Sequence, residues 1–152
     1  MKRPDTPGDF LLPEEQQQIL AAIRTAEAAC SAEIRLCIEK SLPLLNGDPY
    51  KRARTLFAQL GMHKTQAHNG VLFYLATRNR KFAVLGDEDL HRRVGDGFWQ
   101  AVIRSMEAEF GQDRFAEGLC AGITQVGTRL AEYYPHQTGD TNELDDRISF
   151  GG

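Results

Sequence analysis

The six residues Val71-Leu72-Phe73-Tyr74-Leu75-Ala76 are apolar without alternation, and polar or turn residues close them on both sides: Asn69-Gly70 before, Thr77-Arg78-Asn79-Arg80 after. A run this short, bounded this way, predicts a strand buried on both faces. Such a strand needs packed cover above and below, so the chain is expected to layer helices around a sheet. Lys81-Phe82-Ala83-Val84-Leu85 follows the polar turn and reads as the return strand of a hairpin.

Upstream, Glu33-Ile34-Arg35-Leu36-Cys37-Ile38-Glu39 alternates strictly between polar and apolar, which predicts a half-buried strand. Between the two strands Asp48-Pro49 pairs a capping acid with a proline suited to the first helical turn. The helix it opens carries Tyr50, Ala53, Leu56, Phe57 and Leu60 inward and stops at Gly61. A helical crossover of this length normally makes the strands it joins parallel.

The remaining helices follow from spacing. Pro13 with Glu14 and Glu15 begins one whose apolar face is Ile19, Leu20, Ile23, Ala26 and Cys30. A short helix spans Leu90 to Val94. Asp96 caps the next, with Trp99, Val102, Ile103, Met106 and Phe110 on its apolar face. Asp113 caps the last, which carries Phe115, Leu119, Ile123, Val126, Leu130 and Tyr134 and ends at Pro135. Gly118, Gly122 and Gly127 within it allow close approach to a neighbour. Residues 1–11 are expected to be a flexible lead, 12–135 a single α/β domain on a three-strand core, and 136–152 an acidic polar tail.

Composition narrows the function classes. At 152 residues the chain holds one ordinary core. A net charge of −3 argues against a general nucleic-acid binder. No apolar run approaches the ~20 residues that span a bilayer, and Met1-Lys2-Arg3-Pro4-Asp5 does not open a secretory segment. Cys30, Cys37 and Cys120 are odd in number, have no Cys-x-x-Cys spacing, and read as reduced thiols of a cytoplasmic protein.

Topology also selects a site. With the first two strands parallel and the third antiparallel, one edge of the sheet receives Glu33, Asn69 and Asp87-Glu88-Asp89, and Asp96 follows closely. The other edge receives Lys40, Arg78, Arg80 and Lys81. Clustered carboxylates repel unless neutralised, and a hard cation with oxygen ligands, Ca²⁺ or Mg²⁺, would do this. Helix capping alone also accounts for Asp87 and Asp96.

Other motifs fall away in context. Asp87-Glu88-Asp89 after a strand resembles the Asp-x-Asp nucleophile of haloacid-dehalogenase phosphatases, but His91 stands where that motif continues to Thr or Val. Gly95-Asp96-Gly97 lacks the strand and third glycine of a dinucleotide loop. His63 and His68 sit in a loop without ligands at tight spacing. Phe98 and Trp99 at helical spacing are core positions rather than a stacking platform.

Several runs together resemble the TPM domain: Ser31 to Leu36, Leu56-Phe57 with Leu60-Gly61, Asn69 to Ala76, Arg80 to Asp87, Val94-Gly95-Asp96, and Phe115 to Leu119. That family includes thylakoid-lumen photosystem repair proteins and a nematode receptor modulator. The resemblance spans roughly residues 12 to 134. It implies a three-layer α/β/α sandwich, a divalent-metal groove and a weak acid phosphatase activity in some members. It would carry metal ligation to Glu33, Asp87 and Asp96, and less directly to Glu88, Asn69 and Glu117. Many relatives have a signal peptide and a membrane anchor; the sequence shows neither pattern and resembles a shorter, soluble bacterial branch, so neither feature is expected. In that branch the tail ends in a segment similar to Asn142 to Phe150, whose apolar Ile148 and Phe150 would dock on the domain or on a protein partner. Two functions follow as expectations: a cation-binding assembly module of unknown partner, or a metal-assisted phosphomonoester hydrolase.

Overall fold

The computed structural model describes residues 3–43, 47–136 and 148–151. Its centre is a mixed sheet ordered β3-β2-β1-β4, formed by β1 (Ile34–Glu39), β2 (Val71–Ala76), β3 (Lys81–Gly86) and β4 (Ile148–Phe150). β1 and β2 are parallel, β2 and β3 antiparallel, with Val71 opposite both Ile34 and Gly86. Every residue of β2 is buried, as its unbroken apolar run requires.

Two cores lie on the two faces of the sheet. Ile34, Leu36, Ile38, Val71, Phe73, Leu75 and Val84 face α2 (Pro13–Ala28), α4 (Glu88–Phe110) and α5 (Phe115–Tyr133). Cys37, Leu72, Tyr74 and Ala83 face α3 (Pro49–Gln59), through Ala53, Leu56 and Phe57. The result is a three-layer α/β/α sandwich. α5 packs tightly because glycine permits it: a Cβ at Gly127 would lie 2.8 Å from that of Ala26, and one at Gly122 would lie 2.6 Å from the Met106 sulfur. No helix among the described residues is long and apolar enough to cross a membrane.

The structure corrects several expectations. Residues 3–11 are not a free lead. They form a helical turn, α1 (Pro7–Phe10), that buries Phe10 and Leu11 in the larger core. Arg3 holds this segment by a two-bond pair to Glu15 at 2.7 and 2.9 Å, and the Arg80 guanidinium lies 4.7 Å over the Phe10 ring. Glu15 also accepts the Leu12 N–H, supplying the α2 cap that no Ser, Thr, Asp or Asn provides.

Asp113 does not cap α5. It adopts a left-handed φ of 61° and sits 3.5 Å from Arg3, and α5 begins after Arg114. The two helices expected over 90–110 run together as α4, interrupted at Gly95, whose φ of 77° suits a residue without Cβ.

The sheet has a fourth strand. Ile148–Phe150 pairs in parallel with Leu36–Ile38, and the Gly151 N–H donates to the Ile38 carbonyl at 2.7 Å. Of the two docking partners expected for Ile148 and Phe150, the structure shows this chain's own domain. Residues 137–147, the bulk of the expected tail, lie outside the described residues.

β1 is buried along its whole length, not half-buried. Its polar residues are covered because they are paired. The Glu39 carboxylate receives Arg52 at 2.6 and 2.9 Å and the Tyr74 hydroxyl at 2.9 Å, and Arg35 donates to the Ser149 hydroxyl at 3.1 Å. No disulfide links Cys30, Cys37 or Cys120. Burial, with Glu39 nearby, pushes the Cys37 thiol up to about 11.

Burial opposes ionisation of Glu39, but the Arg52 and Tyr74 bonds outweigh it and hold its pKa below the ordinary 4.5. With the folded value depressed, the stabilisation is full above pH 4.5 and fades as pH falls through the lower folded value. Glu39→Gln should therefore cost about 1–3 kcal/mol at neutral pH. It should also flatten the acid-side decline of urea midpoints below about pH 4.5. An unchanged acid slope in the variant would remove Glu39 from this account.

Candidate functional site

The expected edge of the sheet forms, because the register dictates it. Val71 N–H donates to the Glu33 carbonyl and Asp87 N–H to the Gly70 carbonyl, both at 2.9 Å. Glu33, Gly70 and Asp87 therefore lie in one row across three strands, with the outer two backbones roughly 10 Å apart. Asn69 precedes the middle position and is buried.

Asp87 is the unusual member of this row. It is only 8% exposed, and its Oδ1 accepts the Glu88 N–H at 2.8 Å at the start of α4. Its Oδ2 is buried without a hydrogen-bond donor among the described residues, with His68 Nδ1 3.7 Å away. The Asn69 Nδ2 and Thr65 Oγ1 are also buried and unpaired among the described residues. Capping explains one oxygen of Asp87 and leaves the other without a use.

The other acids are disposed differently. Asp89 is neutralised within the fold: the Tyr134 hydroxyl, then Arg92 at 2.8 Å and Arg93 at 2.9 Å, lower its pKa to about 2. Asp96 is 85% exposed at its side chain and stands 3.4 Å from His91 Nε2. Glu88 is exposed on the first turn of α4.

Glu117 is at the wrong end of the molecule. α5 starts beside the hairpin turn, where Arg80 lies 5.4 Å from the Phe115 ring, and runs toward Asp89, which its trailing Tyr134 reaches. Glu117 sits 3.7 Å from Arg114 near that start, remote from Asp87. Among the described residues, no three His, Cys, Asp or Glu side chains converge in a metal-holding group.

A groove connects Asp87, Glu88 and Asp96, while Glu33 and Asn69 do not line it. A cavity of about 550 Å³ is lined by Tyr50 and Arg54 of α3, by Val84, Leu85 and Gly86 of β3, and by His91, Asp96, Trp99, Gln100, Ile103, Arg104 and Glu107 of α4. A second, of about 440 Å³, shares Arg54, Leu85, Gly86 and His91 and adds Phe57, Asp87 and Glu88. The two adjoin at the β3 edge, between the helices of opposite sheet faces. Burial, then Asp48 and Glu107, pushes the Tyr50 phenol above its ordinary value.

Tyr50, an inward position by helical spacing, instead lines this groove, and nothing in the local pattern marks Arg54 as a groove residue. Their i, i+4 spacing places both on one side of α3, but the sequence does not show which neighbour that side meets. Trp99 does both things: it is 8% exposed within the core and also forms a groove wall. Gly86 makes room for it, since a Cβ there would lie 2.5 Å from the indole. Trp99 is the single tryptophan of the chain. Gly86→Val should displace the ring and red-shift its emission; an unchanged spectrum in a folded variant would contradict the packing at this end of β3.

Comparison with known proteins gives a consistent picture. The family model described as TPM domain matches residues 6–129. The chain is similar to the BA42 protein of the psychrophilic bacterium Bizionia argentinensis, whose NMR structure superposes with a TM-score of 0.84 at 38% identity, covering 93% of this chain and 96% of that one. It shares its fold with the N-terminal domain of a P. gingivalis protein (TM-score 0.69, 18% identity, 90% and 99% covered). It does so too with the N-terminal domain of the Corynebacterium glutamicum protein cg2496 (TM-score 0.63, 16% identity, 88% and 81% covered). No curated protein matches the chain.

Proposed function

The chain belongs to the TPM domain family, and from that premise we propose that it is a binding module. Its ligand surface is the groove between α3 and α4, and a divalent cation is drawn to Asp87 at the groove's end. The observation that carries this reading is the second Asp87 oxygen, buried and without a hydrogen-bond partner among the described residues. An unpaired buried carboxylate oxygen is costly unless a cation or donor meets it.

The donor set fits a cation that keeps most of its water. Asp87 offers one inner oxygen, and the exposed Glu88 and Asp96 line the same groove. Mg²⁺ in particular is commonly held through one or two carboxylates with waters completing the shell. When bound, such an ion supplies charge neutralisation and a Lewis-acid centre. Asp87 would orient it, and the apolar floor of Val84 and Leu85 would limit water around a ligand.

Binding ranks above hydrolysis because, among the described residues, no serine, threonine, cysteine or lysine lines either cavity. The Tyr50 phenol is pushed up, away from the phenolate. One observation favours the second reading, metal-assisted phosphomonoester hydrolysis: Arg54 lines the same cavity as Asp87, where a phosphate would need a cation beside it. Under that reading Arg54→Ala should lower magnesium-dependent hydrolysis of an aryl phosphate at least ~10-fold. Equal turnover by wild type and variant would take Arg54 out of this reading.

The cation itself is tested by thermal unfolding in EDTA, Ca²⁺ and Mg²⁺. At 100 times its dissociation constant an ion should add about 2.7 kcal/mol to wild-type stability. Asp87→Asn preserves a capping oxygen and should abolish the increment. An increment that survives in the variant would move the ion elsewhere, and none with either ion would end the cation reading.

A further inference from the structure

β3 is an outer strand of the sheet with no strand beyond it among the described residues, and its edge forms the floor of the groove. The bond from Asp87 N–H to the Gly70 carbonyl fixes the phase of the hairpin ladder. With Gly70 and Asp87 as a bonded pair, Leu85, Ala83 and Lys81 also point their amides at β2. Phe82, Val84 and Gly86 must then direct their N–H and C=O groups outward, where no backbone partner meets them among the described residues. Phe110 closes the Phe82 end, its ring 4.8 Å from that of Phe82. The Val84 and Gly86 end opens into the groove.

Exposed sheet edges are normally blunted by charge, proline or a bulge, because unpaired backbone groups accept another strand. Here Lys81 guards one end only, and the open part lies between two helix walls. An extended segment laid there would send alternate side chains to opposite sides, one set toward α3 and the other toward α4. Each wall presents an exposed arginine that has no ion pair among the described residues: Arg54 on α3 and Arg104 on α4. Of the acids lining the groove, Asp96 stands 3.4 Å from His91 Nε2, Glu107 acts on Tyr50 through its charge alone, and Asp87 and Glu88 lie toward the far end, away from Arg104.

We propose that the groove takes an extended acidic peptide as an added strand, paired with Val84 and Gly86 of β3 and charge-matched by Arg54 and Arg104. Acidic side chains at neighbouring positions would reach the two arginines on opposite walls, and an apolar side chain would settle against Trp99 and Ile103. The inference deepens the binding reading and rests on this groove being the ligand surface.

The test is selection from a random octapeptide library on the immobilised full chain, with an Arg54→Glu, Arg104→Glu double variant as the control. Both arginines are exposed, so the control should keep the wild-type circular dichroism spectrum. Enriched peptides should be acidic and should shift the Val84 and Gly86 amide resonances. They should lose binding about tenfold or more when alternate amides are N-methylated.

Three results would overturn the proposal: no enrichment over the control, shifts confined to another surface, or binding insensitive to N-methylation and displaced by inorganic phosphate. The last would mark a simple anion site. If the peptides fail while the Asp87-dependent thermal shift persists, strand addition falls and the cation-binding reading stands. If both fail, the groove is not a ligand surface.

Discussion

The parallel ladder between Ile34–Glu39 and Val71–Ala76 is the constraint from which the rest of the molecule follows. It places β2 in the middle of the sheet, and a central strand with six buried residues requires cover on both faces. The crossover helix α3 covers one face, and α2, α4 and α5 cover the other. Together with the hairpin register of β2 and β3, the parallel ladder brings Glu33, Gly70 and Asp87 into one row. A slip of one residue would turn Asp87 to the other face, which is why its burial is a property of the sheet rather than of the loop that carries it.

The two ends of the sheet solve their charge problems separately. At the hairpin end, the N-terminal segment folds back over the basic cluster. Asp5 stands 3.8 Å from Arg80 and 3.9 Å from Arg78, and Arg80 lies over Phe10 and Phe115. At the opposite end, Asp89 is absorbed by Tyr134, Arg92 and Arg93. The expectation that a crowd of carboxylates demands a cation thereby narrows chiefly to Asp87, whose buried second oxygen has no hydrogen-bond partner among the described residues.

Residues legible from sequence were those whose neighbours are fixed by local period. Asp48 was readable as a cap because proline follows it, and its side chain does accept the Tyr50 N–H at 2.9 Å. Asp87 and Asn69 were readable as one edge because the strand directions follow from the crossover and the hairpin. Asp113 misled because a cap depends on backbone angles at that residue, and a φ of 61° takes it out of the capping geometry. Glu117 misled because its place depends on the direction of α5 across the sheet, which the helix's own pattern does not encode. Arg54 and Trp99 became groove residues only through the approach of α3 and α4 from opposite faces.

The sequence by itself determined the layered α/β class, the three principal strands with their directions, and the row of residues at one end of the sheet. Those follow from apolar periodicity and connection length, which are properties of short segments. Tertiary structure decided that Phe10 and Leu11 belong to the core, that Ile148–Phe150 joins the sheet beside β1, and that the outer edge of β3 lies in a charged groove. Each of those depends on contacts between segments far apart in the chain. Their energies come from surfaces that exist only once the sheet and its helices have formed.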